Sequence, residues 1–216
     1  AAGSSPSDFA AIGNRLFFRA TVSGFGNELW VTDGTVAGTR MLADIAPGSS
    51  SSNVADVIAA GDRVFFTADD LVHGRELWVT DGTPAGTTMV VDLAPGFAPG
   101  APSGTLTALG AGRLVAFAGI GSGDGLQLWL SDGSAAGTRQ LGRLGQGRGQ
   151  GGAASLRSLT VAGQRLYCLA DDAVLGEELW FYSLDGDTAA FAVTYGDSHC
   201  PGTGGRTPRI AAAGLP

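Results

Sequence analysis

The sequence contains no lysine, and all 13 of its basic residues are arginines. Acidic residues outnumber them at 20, so the formal net charge is −7. An acidic chain without a basic run is a poor ligand for the phosphate backbone of a nucleic acid and for an anionic membrane surface. The sequence therefore predicts no nucleic-acid partner.

Long apolar runs and clusters of reactive side chains are also missing. No stretch approaches the roughly 18 consecutive apolar residues of a membrane-spanning helix, so no membrane insertion is expected. The two histidines, His73 and His199, cannot supply the three or four suitably spaced ligands of a metal centre. A Gly-x-Ser-x-Gly nucleophile motif is absent as well. These gaps predict no metal, no cofactor and no enzymatic activity.

Internal repeats dominate what is present. Residues 28–39 read ELWVTDGTVAGT, residues 76–87 read ELWVTDGTPAGT, residues 127–138 read QLWLSDGSAAGT, and a fourth copy begins at Glu178 as ELWFYSLDGDT. Their tryptophans, Trp30, Trp78, Trp129 and Trp180, are 48, 51 and 51 residues apart, a period in the range of propeller repeats. We divide one domain, residues 1–216, into repeats at about 8–52, 53–103, 104–154 and 155–207, with an extra strand at 208–214.

Each repeat divides into four short apolar runs bounded by Gly and Asp, which is the pattern of β-strands. The first run ends in glycine and occurs five times, at Phe9–Gly13, Val57–Gly61, Leu106–Gly110, Leu159–Gly163 and Ile210–Gly214; the fourth is Thr39–Ile45 or Thr87–Leu93. Radial stacking buries both apolar faces of such a unit. The predicted fold class is all-β, a β-propeller of about four four-stranded antiparallel blades or part of a larger ring. An all-β sandwich is the alternative.

The fifth copy of the first strand leaves two arrangements open. Either it completes the first blade, with residues 1–13 packed elsewhere, or the chain is a segment of a longer array. The chain opens at Ala1 without a methionine, as expected for a processed secretory protein or for such a segment.

The ELWxxDGTxxGT pattern, complete at residues 28–39 and 76–87, resembles that of the bacterial ELWxxDGT-repeat proteins, also described as hyalin-like. The third copy departs from it at Gln127 and Ser134, and the fourth loses the turn register before Asp185. This resemblance covers nearly the whole chain. It implies a secreted or cell-surface bacterial protein and no catalytic residues.

Asp33, Asp81 and Asp132 each precede a Gly in the turn after the third strand. The Gly supplies the positive φ of a tight turn and the Asp accepts backbone N–H groups, so we interpret these residues as structural. A rim of carboxylates that binds Ca²⁺ or sugar hydroxyls is the alternative, although Ca²⁺ takes 6–8 oxygens. We interpret the four tryptophans as packing residues between blades, with stacking on a sugar as the alternative.

Two further sets of residues recur with the repeats. They are the glutamates Glu28, Glu76 and Glu178 and the arginines that open the second strand, Arg15, Arg63, Arg113 and Arg165. We hypothesise that the two sets pair with each other and fix the strand register.

The loops between the second and third strands differ between repeats, at residues 21–27, 69–75, 119–126 and 171–177. Loops on a rigid scaffold are the usual carriers of recognition. The candidate ligand-binding residues in these loops are Asp69, Asp70, His73, Asp124, Asp171 and Asp172.

The two cysteines both belong to the fourth repeat. Cys168 lies in its second strand, aligned with Phe18, Phe66 and Ala116, and Cys200 lies in the tail that follows. We predict a disulfide between them, which closes a loop of about 32 residues and contributes about 3–4 kcal/mol in the chain-entropy model. Such a bond indicates an oxidising compartment.

The expected function is that of a non-catalytic binding or scaffolding module in a secreted or cell-surface assembly, with other protein subunits as partners. A lectin-like propeller that binds a glycan is one alternative. A hydrolase with an unrecognised acidic site at the rim is the other.

Overall fold

The computed structural model describes residues 3–110, 112–121, 125–142, 155–171, 177–184 and 191–193. These residues contain sixteen β-strands and no helix, so no helix in this part of the chain is long and apolar enough to cross a membrane. Sheet 1 holds β1 (Ser7–Ile12), β2 (Arg15–Val22), β3 (Gly26–Thr32) and β4 (Arg40–Met41); sheet 2 holds β5 (Ala55–Ala60), β6 (Arg63–Asp69), β7 (Arg75–Thr80) and β8 (Thr88–Val91). Sheet 3 holds β9 (Thr107–Ala108), β10 (Val115–Ile120), β11 (Leu126–Ser131) and β12 (Arg139–Gly142); sheet 4 holds β13 (Ser155–Ala162), β14 (Arg165–Asp171), β15 (Glu177–Ser183) and β16 (Phe191–Val193).

Each sheet is an antiparallel meander whose strands are adjacent in chain order. The register repeats, because the Trp of the third strand lies opposite Phe18 in sheet 1, Phe66 in sheet 2, Phe117 in sheet 3 and Cys168 in sheet 4. Cys168 thus occupies the position of Phe117, and its predicted alignment with Ala116 is wrong by one residue. In the third repeat Leu114 separates Arg113 from Val115, which is the residue that corresponds to Leu16.

Three apolar clusters join successive sheets. The first joins sheets 1 and 2, the second joins sheets 2 and 3, and the third joins sheets 3 and 4. Each sheet has one face directed toward the following sheet in chain order and an opposite face directed away from it. We call these the forward face and the rear face. Phe17, Leu29 and Val31 lie on the forward face of sheet 1 and meet Val64 and Phe66 on the rear face of sheet 2.

The stacked four-stranded sheets confirm the predicted fold class, a β-propeller built of four-stranded antiparallel blades. The first blade is completed by its own N-terminal strand, since β1 pairs with β2. The arrangement in which residues 1–13 are packed elsewhere is therefore wrong. The extra strand expected at 208–214 lies outside the described residues.

The strand ends differ from the predicted ones for identifiable reasons. The first strands begin earlier, at Ser7, Ala55 and Ser155, and each contains a β-bulge. The bulged residues Asp8 and Asp56 have φ of 53° and 56°, a conformation that polar residues such as Asp tolerate. Strand β9 has only two residues. The Thr105 hydroxyl accepts the backbone N–H of Ala118 in place of a backbone carbonyl of the first strand.

The fourth strands are shorter than predicted because a buried glutamate takes their last N–H groups. Glu28 is fully buried, and its carboxylate accepts the backbone N–H groups of Ile45 at 3.1 Å and Ala46 at 3.2 Å. It also accepts the backbone N–H of Ser52 at 3.2 Å and its hydroxyl at 2.7 Å. Strand β4 therefore ends at Met41, and the hydrogen bonds to Glu28 fix the segment that leads to sheet 2.

Glu76 occupies the same place in sheet 2. It accepts the backbone N–H of Gly100 at 3.0 Å, and the N–H groups of Leu93 and Ala94 face the same carboxylate. Burial raises the pKa of Glu76 to about 7, the nearby charge of Asp92 adds to this, and the backbone hydrogen bonds oppose it. Burial also raises the pKa of Glu28, against the opposing hydrogen bonds from Ser52 and the backbone.

The hypothesis that these glutamates pair with the recurring arginines is wrong for Glu28 and Glu76, because their carboxylates accept hydrogen bonds from buried backbone instead. Arg15 lies over the ring of Phe17, with 5.5 Å between its guanidinium carbon and the ring centroid. Arg165 lies over the ring of Phe181 in the same way, at 4.8 Å. Arg63 pairs with Asp81 at 3.6 Å and Arg113 pairs with Asp62.

We expect the Glu76→Gln variant to alter the pH dependence of stability. The pKa of Glu76 is raised from 4.5 to about 7 in the folded protein, so the stability it contributes is present below pH 4.5 and is lost as the pH rises through about 7. Relative to the variant, the wild type should therefore lose free energy of unfolding over this range. Urea denaturation at a series of pH values measures this, and parallel curves for the two proteins would contradict it.

Candidate functional site

One end of the blades carries the loops between the second and third strands, together with the segments that lead to the next blade. We call this end the loop rim. Four large apolar side chains are exposed there: Phe25 is 44 % exposed, Leu71 44 %, Val72 59 % and Phe97 78 %. Gly74 lies so close to the backbone carbonyls of Phe97 and Ala98 that a Cβ atom would approach them to 2.7 and 2.8 Å. The β6–β7 loop and the segment around Phe97 therefore form one surface.

The structure brings together the candidate residues of the β6–β7 loop. Asp70 accepts the backbone N–H groups of Val72 at 2.9 Å and His73 at 2.8 Å, and its other oxygen lies 2.7 Å from Nδ1 of His73. Asp69 accepts the backbone N–H of Leu71 at 2.8 Å. Both carboxylates thus close the loop that presents Leu71 and Val72.

The charges of the Asp70–His73 pair support this structural role. Desolvation acts to raise the pKa of Asp70, but the hydrogen bonds from the backbone and side chain of His73 and from Val72 lower it overall. The hydrogen bond to Asp70 raises the pKa of His73, and the charges of Asp92 and Glu76 contribute in the same direction. The pair therefore favours an ion pair that holds the loop.

The other candidate loop residues do not join this group. Asp171 lies at the end of β14 in sheet 4, opposite Glu177, whereas Asp124 and Asp172 lie outside the described residues. Over the part of the chain that the structure describes, no three His, Cys, Asp or Glu side chains are grouped so that they could hold a metal ion.

Asp33, Asp81 and Asp132 lie in three matching turns after the third strands. Asp81 accepts the backbone N–H of Thr83 at 2.9 Å and its hydroxyl at 2.7 Å; Asp33 does the same with Thr35 and Asp132 with Ser134. The hydroxyls of Thr80 and Thr87 lie 2.7 Å apart and close the base of the turn. The polar residues of the repeated motif therefore encode one hydrogen-bonded turn, and each carboxylate is used within its own blade.

Three of the four tryptophans lie between the blades. Trp78 packs against the cluster between sheets 1 and 2, Trp129 against that between sheets 2 and 3, and Trp180 against that between sheets 3 and 4. The indole nitrogens of these three and of Trp30 are buried and have no hydrogen-bond partner among the described residues. Their polar edges are thus turned away from solvent.

The exposed apolar side chains of the loop rim were not among the residues predicted from the sequence. Phe97 follows the fourth strand of sheet 2, at the position where the linker after sheet 1 has Ser49, and Phe25 stands where sheet 2 has His73. A comparison of repeats position by position in their linkers could have found both. The acidic residues of the same loops were predicted as ligand-binding candidates instead, because carboxylates can bind metals and polar ligands.

Cys168 is buried, with 2 % of its surface exposed, and belongs to the cluster between sheets 3 and 4. Burial raises the pKa of its thiol to about 12, which suppresses the reactive thiolate. Cys200 lies outside the described residues, so the disulfide between the two stays a prediction.

Several solved structures resemble this fold. A puromycin hydrolase crystal structure matches with a TM-score of 0.53 and 20 % identity over 82 % of this chain and 26 % of its own. TolB from Acinetobacter baumannii matches with 0.52 and 10 % identity over 84 % of this chain and 42 % of its own. A Mycobacterium tuberculosis puromycin-hydrolyzing peptidase matches with 0.53 and 14 % identity over 89 % and 28 %.

These similarities define the class of the chain as a β-propeller protein and extend no further than the fold. The chain spans about a quarter of the length of the hydrolases and less than half of TolB. No protein-family model matches it, and no curated protein is significantly similar to it.

We expect Asp81→Ala to lower the free energy of unfolding by about 1 kcal/mol, because it removes the acceptor of two turn hydrogen bonds. Asp81→Asn is the matched control, since its amide oxygen can still accept both bonds and should retain most of the stability. Thermal and urea denaturation at neutral pH measure the difference. Equal losses in the two variants would contradict the proposed role of the acceptor.

The predicted disulfide is tested by thiol titration of the denatured, unreduced protein. A Cys168–Cys200 bond leaves no thiol to react, and peptide mapping should recover the two cysteines as one linked fragment. Two titratable thiols would contradict the bond. In that case Cys168 should still resist alkylation in the folded protein, because burial raises its pKa to about 12.

Proposed function

We propose that this chain is a non-catalytic β-propeller module that binds other proteins in a secreted or cell-surface assembly of a bacterium. The observation that carries the proposal is the contrast between the two kinds of side chain on the loop rim. The acidic residues fold back to close their own loops, whereas Phe97 and Val72 are directed outward.

The exposed apolar residues of the loop rim support protein binding. They lie on loops fastened to a rigid scaffold, because Glu76 holds the segment that leads toward Phe97 and Asp70 holds the loop of Val72. Apolar side chains held in place lose little conformational freedom when a partner covers them. A protein surface with complementary apolar groups is therefore the partner that fits this rim.

The alternatives receive less support from the described residues. A hydrolase site at the rim would need free carboxylates, but Asp69 and Asp70 accept backbone hydrogen bonds at 2.8–2.9 Å. A sugar site based on the tryptophans would need indole rings with an accessible polar edge, but all four indole nitrogen atoms are buried. The proposed location outside the cytoplasm rests on the resemblance of the repeats to ELWxxDGT proteins and on the predicted disulfide.

We expect Phe97→Ser to weaken capture of a partner from a bacterial surface extract by roughly tenfold or more, because burial of a Phe side chain is worth roughly 1.5–3 kcal/mol. Val36→Ser is the matched control, since Val36 is 96 % exposed at the opposite end of the blades. Quantitative mass spectrometry of the material captured by immobilised wild type and variants measures the change.

Two further assays decide between the classes of function. The wild type is tested on a glycan array and with chromogenic peptide and ester substrates. Neither assay should give a signal above that of a heat-denatured sample. Specific glycan binding would favour the lectin, and turnover that Asp70→Asn abolishes would favour the hydrolase.

A further inference from the structure

The faces of the terminal sheets lack the cover that their equivalents have inside the stack. On the rear face of sheet 1, Phe9 is 57 % exposed, whereas its counterpart Val57 in sheet 2 is 6 % exposed. Leu16 and Phe18 are also partly exposed, although their counterparts in sheet 2 are completely buried. Phe9 and Phe18 lie with their ring centroids 6.2 Å apart and form an aromatic surface.

The forward face of sheet 4 shows the same contrast. Tyr167 and Leu179 are partly exposed, whereas their counterparts Phe17 and Leu29 in sheet 1 are completely buried against sheet 2. Tyr167 lies 5.9 Å from Phe181, measured between ring centroids. Among the described residues, no apolar cluster joins sheet 4 to sheet 1.

The two uncovered faces carry side chains that match by the rule that the three internal interfaces follow. Each internal cluster includes one forward-face residue from the second strand and one rear-face residue from the next sheet. These pairs are Phe17 with Phe66, Phe65 with Phe117, and Ala116 with Cys168, so large residues meet large ones and small residues meet small ones. The remaining pair is Tyr167 with Phe18, and both are large aromatic residues.

The turn after the third strand provides an independent sign of a missing neighbour. Gly82 of sheet 2 is buried against sheet 1, where a Cβ atom would collide with the Arg15 guanidinium and lie 3.1 Å from Phe17. Gly133 of sheet 3 lies against sheet 2 in the same way, 3.2 Å from Phe65. A Cβ atom on the corresponding Gly34 of sheet 1 would have no neighbouring group within 4 Å.

Sheet 4 carries a counterpart of the surface that receives these turns. In sheet 1 this surface consists of Phe17 with Arg15 over its ring, and Arg40 donates to the carbonyl of Gly82 at 3.0 Å. At the matching positions of sheet 4, Arg165 lies over Phe181 beside Tyr167. This surface could receive the Gly34 turn of another sheet 1.

We infer that the rear face of sheet 1 binds the forward face of sheet 4 in a second copy of this chain. The inference goes beyond the proposed binding at the loop rim, because it concerns the faces of the terminal sheets. The contact continues the packing already present three times within the chain. It is heterologous, so two copies related by a two-fold axis form two such contacts and close a ring of eight blades, within the usual range of four to eight.

Light scattering behind a sizing column tests the dimer. The wild type should elute as one species of twice the 21.7 kDa chain mass. Phe97→Asp should leave the mass unchanged, because Phe97 lies on the loop rim. A monomer at every concentration up to the solubility limit would overturn the inference, as would a mass that grows continuously with concentration.

Complementation of two variants tests the faces. Phe18→Asp damages the rear face and Tyr167→Asp the forward face, so each variant alone should be monomeric. Their equimolar mixture retains one intact pair of faces and should regain a dimer. Dimers that persist in either variant alone, or a mixture that stays monomeric, would overturn the assignment.

Two controls keep the result interpretable. Circular dichroism and thermal unfolding check that the variants fold, and Phe18→Ser with Tyr167→Ser replace the aspartates if the charge prevents folding. The hydrolysis and glycan assays are repeated on the same samples. Activity in those assays would overturn the proposed function, whereas an inactive monomer would overturn only the pairing of the two faces.

Discussion

A four-stranded sheet that is apolar on both faces has no stable existence alone, and this constraint governs the whole molecule. Each sheet obtains cover only from its neighbours in the stack, so the forward face of one blade and the rear face of the next must match in side-chain volume. Phe17 and Phe66 meet this condition with two large side chains, whereas Ala116 and Cys168 meet it with two small ones. The ends of the stack are where the constraint is left unsatisfied.

Buried carboxylates stabilise the segments between blades, and exposed carboxylates stabilise the turns within a blade. Glu28 and Glu76 are completely buried and gather backbone N–H groups from the segment that leads to the next blade. Asp33 and Asp81 lie at the surface and gather donors from a single turn, which lowers their pKa values. In sheet 3 Gln127, which is 2 % exposed, replaces the glutamate, so a neutral amide is acceptable at this position.

The repeat period and the strand signals were sufficient to predict the fold class, because they depend on local sequence. The Asp-Gly turns were also interpretable, since their partners lie within four residues of Asp81. The role of Glu28 was not predictable, because its partners Ile45 and Ser52 are 17 and 24 residues away. Ile45 donates through its backbone N–H, which no side-chain pattern reveals, and Ser52 donates through both its backbone N–H and its hydroxyl. The bulges at Asp8 and Asp56 were missed for a related reason, as a single positive φ leaves the apolar pattern intact.

The loop rim shows why reactive residue types alone are a poor guide to function in this chain. Asp70 and His73 have the composition of a catalytic pair, yet the same carboxylate also accepts two backbone N–H groups and so shapes the loop. A residue that stabilises the loop conformation in this way is costly to recruit for chemistry, because any movement toward a substrate would break those bonds. The Phe97 side chain has no hydrogen-bonding group, so no such bond has to break when it meets a partner. The exposed side chains without such bonds are the apolar ones, which is the physical basis for proposing the rim as a binding surface.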